Sequence, residues 1–508
     1  MDRDSALPSI QSQIRKTVTG LTHSHQNGEP NETTSLLRGN GHSVQNGSAH
    51  QNGHGGGAWE FFFNSQHTPG TENPKPWVKY PAHAWHITKA TLLSSPVNIL
   101  LVAVPIGIIA GQTGWDPVAV FVINFFAIIP LAAVLSYATE EISVKLGEAL
   151  GGLLNATFGN AVELIVSIIA LRDRQIEVVK SSMIGSILSN LLLVMGMCFF
   201  FGGIVNMRDE EGHGQEQSFQ TITAQTTASL MTLSAASMIL PGTLFMIING
   251  TGGDDKDARN QIVLSLSRGT AIILLLLYVL YLWFQLRTHH ELFSAEAAVV
   301  SEPTQNGTQL PTEAAAENIR PGLAQGLEEE SEEEVHMSPW SAGAVLVVTT
   351  ILVAICADYL VESIDALVER AHISRSFIGL ILIPIVGNAA EHVTAVVVAV
   401  KNKMDLAMGV AIGSSIQIAL FVTPFLVVLG WIMDREMDLH FETFETVSFA
   451  LAVLVVIYTV QDGKSNYLEG AMLMALYVII ALAFFVTPSQ YFNSDWVIGK
   501  LGGLVSST

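Results

Sequence analysis

Charge is scarce in these 508 residues. Only 14% are Asp, Glu, Lys or Arg, 49% are hydrophobic, and the mean hydropathy is +0.43. Soluble domains carry about 25% charge, so this balance excludes an ordinary soluble globule. Cysteine is rarer still. Cys198 and Cys356 both lie in apolar runs, which excludes a disulfide framework and reads as core. The first 90 residues lack a secretory apolar region, so no cleaved signal peptide is expected. Basic clusters are also lacking. A net charge of −21 leaves no surface for nucleic acid.

What the chain does have is long apolar runs. A span needs about 20 apolar residues. Eleven candidates meet that ruler, near 97–113, 118–139, 149–171, 178–203, 221–248, 264–287, 340–361, 376–400, 404–432, 444–461 and 468–487. The expected fold is an all-α, polytopic membrane protein with eleven transmembrane helices, packed among themselves and against lipid. Open strands cannot pair their backbone groups in lipid, and a barrel would alternate rather than run continuously.

Polar stretches divide the chain. Residues 1–90 are read as a disordered tail, with "QNG" at 26, 45 and 51 and five histidines by His54. Those histidines could bind a transition metal, but a solvated tail accounts for them. "ETTSLL" at 32–37 has the acidic-dileucine form that sorting adaptors bind, so an adaptor is a candidate partner. Residues 91–287 hold the first span and a first five-helix unit, 338–490 a second unit, and 491–508 a C-terminal tail. The linker 288–337 has eleven glutamates and one basic residue, Arg320. It ends in Glu328, Glu329, Glu330, Glu332, Glu333 and Glu334. These either form a solvated charge run or order when a cation neutralises them.

The main organisational signal is a repeat. "GNAVE" at 159–163 recurs as "GNAAE" at 387–391, and each glutamate is followed 22 residues later by a glycine, Gly185 or Gly413. The displacement is 228 residues without a gap. Five spans per unit is an odd number, so the two units enter the membrane in opposite senses. Inverted repeats of this kind are typical of secondary transporters, with the site at the midplane between the halves.

Glu163 and Glu391 fall deep in their spans, too far from either end to snorkel. A carboxylate there costs about 2.5–3.5 kcal/mol, and no lysine or arginine shares either span. A cation alternating with a proton satisfies it in both states. The neighbours fit that reading. Asn160 and Asn388 lie three residues before the glutamates, on the same helix face. Gly159, Gly387 and Pro384 are candidate helix breaks that free carbonyls. Ser186 and Ser189 in one following span match Ser414 and Gln417 in the other. Carboxylate, amide and hydroxyl oxygens form a hard-ligand set suited to Ca²⁺, whereas zinc or copper would want Cys and His. The candidate metal ligands are therefore Glu163, Glu391, Asn160, Asn388, Ser186, Ser414 and Gln417. His392 is expected to face away from Glu391. Asn or Ser alone would read as interhelical glue, but duplicated midplane glutamates do not.

At these residues the sequence resembles the cation/proton exchanger family, and in particular the fungal vacuolar calcium/proton exchangers. "NATFGNAVELIVSIIAL", "SNLLLV", "FIGLILIPIVGNAAEHV" and "KNKMDLAMGVAIGSSIQIALFVTPF" carry the likeness, which runs from about 85 to 490. It implies an antiporter, not an enzyme, with Glu163 and Glu391 as the exchanging carboxylates. It implies Ca²⁺ and H⁺ as transported ions, no resident cofactor, a vacuolar membrane and a cytosolic N-terminus. It also implies a calcium-responsive acidic helix in the linker. Alternatives remain open on the residues alone. One is the same fold driven by Na⁺. A cation-sensing scaffold would leave the membrane glutamates unexplained. An intramembrane metalloenzyme would want a His-x-x-x-His pair beside them, which is missing.

Overall fold

The computed structural model describes residues 68, 71, 74–209, 212–250, 256–289 and 337–486. The acidic segment Glu328–Glu334, most of the N-terminal tail and residues 487–508 lie outside the described residues. The helices in chain order begin with α1 (Pro76–Leu93), a 3₁₀ turn at Pro96–Val102 and α2 (Ala103–Gln112). Next come α3 (Pro117–Phe158), α4 (Ala161–Arg172), α5 (Ile176–Leu188), α6 (Met195–Val205), α7 (Thr221–Gly250) and α8 (Lys256–Trp283). The second half holds α9 (Pro339–Glu362), α10 (Ile364–Ala371), α11 (Arg375–Phe377), α12 (Ile383–Gly387) and α13 (Ala389–Val400). It closes with α14 (Met404–Gln417), α15 (Thr423–Ile432), α16 (Thr443–Thr459) and α17 (Tyr467–Val486). A two-residue ribbon, β1 (Gln217–Ser218) and β2 (Lys464–Ser465), is antiparallel.

Each of the eleven expected segments falls on helix. Among the described residues, seven helices are long and apolar enough to cross a membrane, or nine if two bent pairs are each one span. The shortfall has physical causes. Helix α16 has 17 residues, about 26 Å at 1.5 Å per residue, slightly short of a hydrocarbon core. The segment expected at 149–171 is divided between the end of α3 and the 12-residue α4. Helix α3 itself runs for 42 residues but is not straight. A Cβ on Gly151 would collide with the Ser143 carbonyl, and residues eight apart in a straight helix are about 12 Å apart. The chain therefore doubles back between 143 and 151. Helix also occupies the last part of the segment assigned to the tail. Pro76 at the first turn and the apolar residues after it start α1, which meets the next helix at 112°.

The connections group into two faces. On the first, Arg370 pairs with Asp116, and Arg172 with Asp358. Arg375 reaches Asp365 at 2.9 Å, and Arg435 donates to the Arg172 carbonyl at 3.2 Å. The Arg370 hydrogen bond holds the Asp116 carboxyl below its ordinary range. On the second face, Asn206 donates to the Val400 carbonyl at 3.2 Å. Gln217 donates to the Ala399 carbonyl at 3.0 Å and to Asn402 at 2.8 Å, and the ribbon ties 217–218 to 464–465. The two motif copies also turn alike. Arg174 and Asn402, 228 residues apart, both take φ 62° at the corner after the glutamate helix.

Candidate ion-exchange site

The backbone leaves helical geometry at Asn160 (φ −102°, ψ 25°) and Asn388 (φ −92°, ψ 4°). The sequence placed the breaks at Gly159 and Gly387, and α3 and α12 do end there, Gly159 as a cap and Gly387 as the last helical residue, with the non-helical angles carried by the asparagine that follows. Pro384 follows a π-helical turn at Ile378–Leu382, which absorbs its missing N–H. Neither asparagine side chain caps its own helix, which leaves both amides free to face other groups. The chain bends by 59° at the second break. Glu163 and Glu391 each fall in the first turn of the helix that follows, where the dipole favours negative charge.

Gly387 also serves clearance. A Cβ on Gly387 would lie 2.5 Å from Glu163 Oε1, and one on Gly159 would lie 3.7 Å from Glu391 Oε1. Each carboxylate thus sits against the glycine of the other copy. Gly387 is one turn before Glu391, so the two carboxylates share one neighbourhood.

The expected ligands separate into two groups. Asn160 Nδ2 donates to Gln417 Oε1 at 2.7 Å, and Ser414 Oγ donates to Asn160 Oδ1 at 2.9 Å. Asn190 Nδ2 donates to Ser414 Oγ at 3.1 Å. Three predicted residues are therefore bonded across the repeat, together with Asn190, which the sequence reading missed. Asn190 lies one turn after Ser186, but Ile418 stands at its matching position, so the repeat gave no signal. The second group is unpaired. Both oxygens of Glu163, both amide atoms of Asn388, Ser186 Oγ and Glu391 Oε2 are buried without a hydrogen-bond partner. Glu163 is 2% exposed and Asn388 1%. An unsatisfied buried polar group costs about 1–3 kcal/mol, and a hard cation or a proton would relieve several at once. His392 also turns toward this layer. Its Nε2 lies 3.3 Å from Ser189 Oγ, the counterpart of Gln417.

Access differs between the two sides. A cavity of about 110 Å³ opens between α7, α8 and α14, with Asp405, Gly409, Gly413 and Gln417 along one helix stripe. It runs from the second face to Gln417, which bonds Asn160. Toward the first face the matching stripe is sealed. Gly185 packs on the Leu380 backbone, and Gly379 lets Ser181 approach. Above it Ser181 bonds Glu445, Ser376 donates to Glu177 at 3.1 Å, and Lys180 pairs with Asp438 at 2.5 Å. Burial, with the charges of Glu445 and Glu177, pushes the Glu442 carboxyl up to about 8 at the end of the 433–442 connection.

Residues 117–287 and 341–486, both halves of this arrangement, match the family model described as sodium/calcium exchanger protein. The chain belongs to that family. It is 46% identical over 402 residues to the vacuolar calcium ion transporter of Schizosaccharomyces pombe, covering 79% of this chain and 87% of that one. It is 42% identical over 393 residues to the Ca(2+)/H(+) antiporter of Aphanothece halophytica, covering 77% and 96%. A solved structure of the Ca2+/H+ antiporter protein YfkE superposes with a TM-score of 0.59 at 34% identity, covering 77% of this chain and 99% of that one. The exchanger family and these relatives are transporters, so this exchanger is a transporter and not an enzyme.

Proposed function

We propose that this exchanger moves Ca²⁺ into an acidic vacuole in return for protons, with Glu163 and Glu391 as the groups that trade one ion for the other. The observation that carries the reading is the pair of deep carboxylates, each against the other copy's glycine, with unpaired oxygens around them. A carboxylate that holds a cation resists a proton, so the two ions compete for one site. Asn160, Asn388, Ser186, Ser414 and Gln417 supply neutral oxygens. The relatives named as vacuolar calcium ion transporter and Ca(2+)/H(+) antiporter support the choice of ions and membrane.

The topology in this reading is eleven spans, one N-terminal helix followed by two inverted five-helix repeats. Pro96–Gln112 ends at the first face. If that helix crosses the membrane, the N-terminus is on the second face, which we assign to the cytosol. The cavity then faces the cytosol and the sealed side faces the lumen. A lumen two pH units more acidic supplies about 1.36 kcal/mol per unit per proton. Two protons per Ca²⁺ would drive about 5.4 kcal/mol, roughly a 10⁴-fold gradient.

The test is Ca²⁺ uptake into proteoliposomes after a pH jump or a Na⁺ jump. Uptake should follow the pH jump, and Glu163→Gln or Glu391→Gln should each abolish it in protein that still purifies as a folded species. Glutamine keeps the shape but cannot alternate between charged and neutral forms. Uptake driven only by Na⁺ would replace the proton with sodium. Flux surviving in either glutamine variant would remove the two-glutamate mechanism.

A further inference from the structure

Asp405 is not needed by the exchange mechanism, yet it stands in the wall of the cavity that leads from the second face toward it. It occupies the first turn of α14, at the second-face end of the cavity. The residues at i+4, i+8 and i+12 from it are Gly409, Gly413 and Gln417, all lining the same cavity. Gly409 and Gly413 have nothing within 4 Å of where a Cβ would be, so no side chain interrupts the stripe. At its inner end Gln417 bonds Asn160 at 2.7 Å. The Gln220 N–H donates to Asp405 Oδ1 at 2.7 Å, which fixes the carboxylate at the cavity wall without removing its charge.

The repeat gives a second, independent reason. The residue 228 positions before Asp405 is Glu177, also in the first turn of its helix. Glu177 is covered on the sealed side, where Ser376 donates to it. A carboxylate thus stands at the head of the cation stripe in both copies, whichever side is open. Helix-dipole stabilisation alone would favour an acid at either site. It would not require the acid to share a clear stripe with the ion-binding amides.

We propose that Asp405 is a cation-recruiting residue of the open side: it draws a hard divalent cation into the cavity and hands it along α14 to the site at Gln417, Glu163 and Glu391. This rests on the exchange reading above. A negative wall in a narrow, partly desolvated cleft raises the local cation concentration, and the effect is screened by salt. Lys403, two residues earlier, limits the gain. The effect belongs on half-saturation and not on maximal rate, because Asp405 does not take part in the exchange itself.

The experiment is initial Ca²⁺ uptake against free Ca²⁺ in proteoliposomes with an acidic interior. Wild type, Asp405→Asn and Asp405→Glu are compared at low and at high KCl. Asparagine keeps an acceptor for the Gln220 N–H, so it removes charge and spares that bond. Half-saturating Ca²⁺ should rise about three- to tenfold in Asp405→Asn at low salt, with maximal rate within about twofold. The gap should narrow at high salt, and Asp405→Glu should restore the wild-type value. Wild-type half-saturation should itself rise with KCl, which tests the idea even if the asparagine variant misfolds. Unchanged half-saturation in Asp405→Asn, or a fall in maximal rate alone, overturns the proposal while wild-type uptake continues. A wild-type protein without pH-driven uptake overturns the exchange reading and this proposal with it.

Discussion

Helices α5 and α14 begin from matching sequences and end in opposite surroundings. Ser181, Gly185 and Ser189 on α5 are buried, whereas Gly409 on α14 is exposed and Gly413 and Gln417 are half-buried. The hydrogen bonds divide in the same way. Asn160, which meets α14, is bonded through both amide atoms, while Asn388 is bonded through neither. Two copies of one motif have therefore been caught in different states within one molecule. The chemistry of the motif cannot be the cause, since it is shared. What differs is which helices lie beyond it. Helices α11 and α12, with the π-helical turn between them, close over α5, while α7 and α8 stand off from α14 and leave the cavity. An antiporter needs this inequality, because a site open to both sides at once would dissipate the gradient it uses.

The comparison breaks most sharply by labelling. Gly409→Cys should react with a membrane-impermeant thiol reagent about tenfold or more faster than Ser181→Cys, its counterpart 228 residues earlier. Cys198 and Cys356 are buried and should contribute little background. Equal rates would mean that the cavity is not a solvent path.

A smaller effect is expected from adding one methyl group to each copy. In Gly185→Ala the new Cβ meets the Leu380 backbone, and overpacking of this kind costs about 1–3 kcal/mol. In Gly413→Ala nothing lies within 4 Å, and the change should stay within about 0.5 kcal/mol. Thermal unfolding of the two variants in detergent decides it. If Gly413→Ala were the more damaging, the sealed and open sides would be wrongly assigned.

The asparagines give the finest contrast. Asn160→Ala strands the partners on Ser414 and Gln417 and should cost about 1–3 kcal/mol without ions. Asn388→Ala removes an amide that bonds nothing, so ion-free stability should hardly change. Its loss should instead show as a reduced thermal shift on adding Ca²⁺. A full Ca²⁺ shift in Asn388→Ala would take that amide out of the ligand set.

Much of this was legible in the chain. The run lengths placed every expected apolar segment on helix, and the 228-residue displacement located both glutamates, both asparagines and the paired residues on α5 and α14. Where the sequence reading slipped, it treated a residue type as having one use. Gly159 and Gly387 looked like helix breaks only, and α3 and α12 do end there, but Gly387 also clears space for the Glu163 carboxylate from the other half. His392 was expected to face away from Glu391, and the partner the fold gives it is Ser189 on the other copy, a contact that spacing along one helix could not show. Asn190 had no counterpart in the second copy and so passed unnoticed.

The sequence by itself determined the solvent, the helical class of the apolar segments and the duplicated chemistry, because hydropathy, helix length and motif spacing are properties of residues in order along one strand of chain. It could not determine which copy is sealed. That depends on whether a Cβ-sized gap exists between helices some two hundred residues apart in sequence, such as Gly185 against Leu380. Near-symmetric repeats offer two packings of similar energy. Only the tertiary structure chooses between them, and the choice decides which face of the protein the ion site is open to.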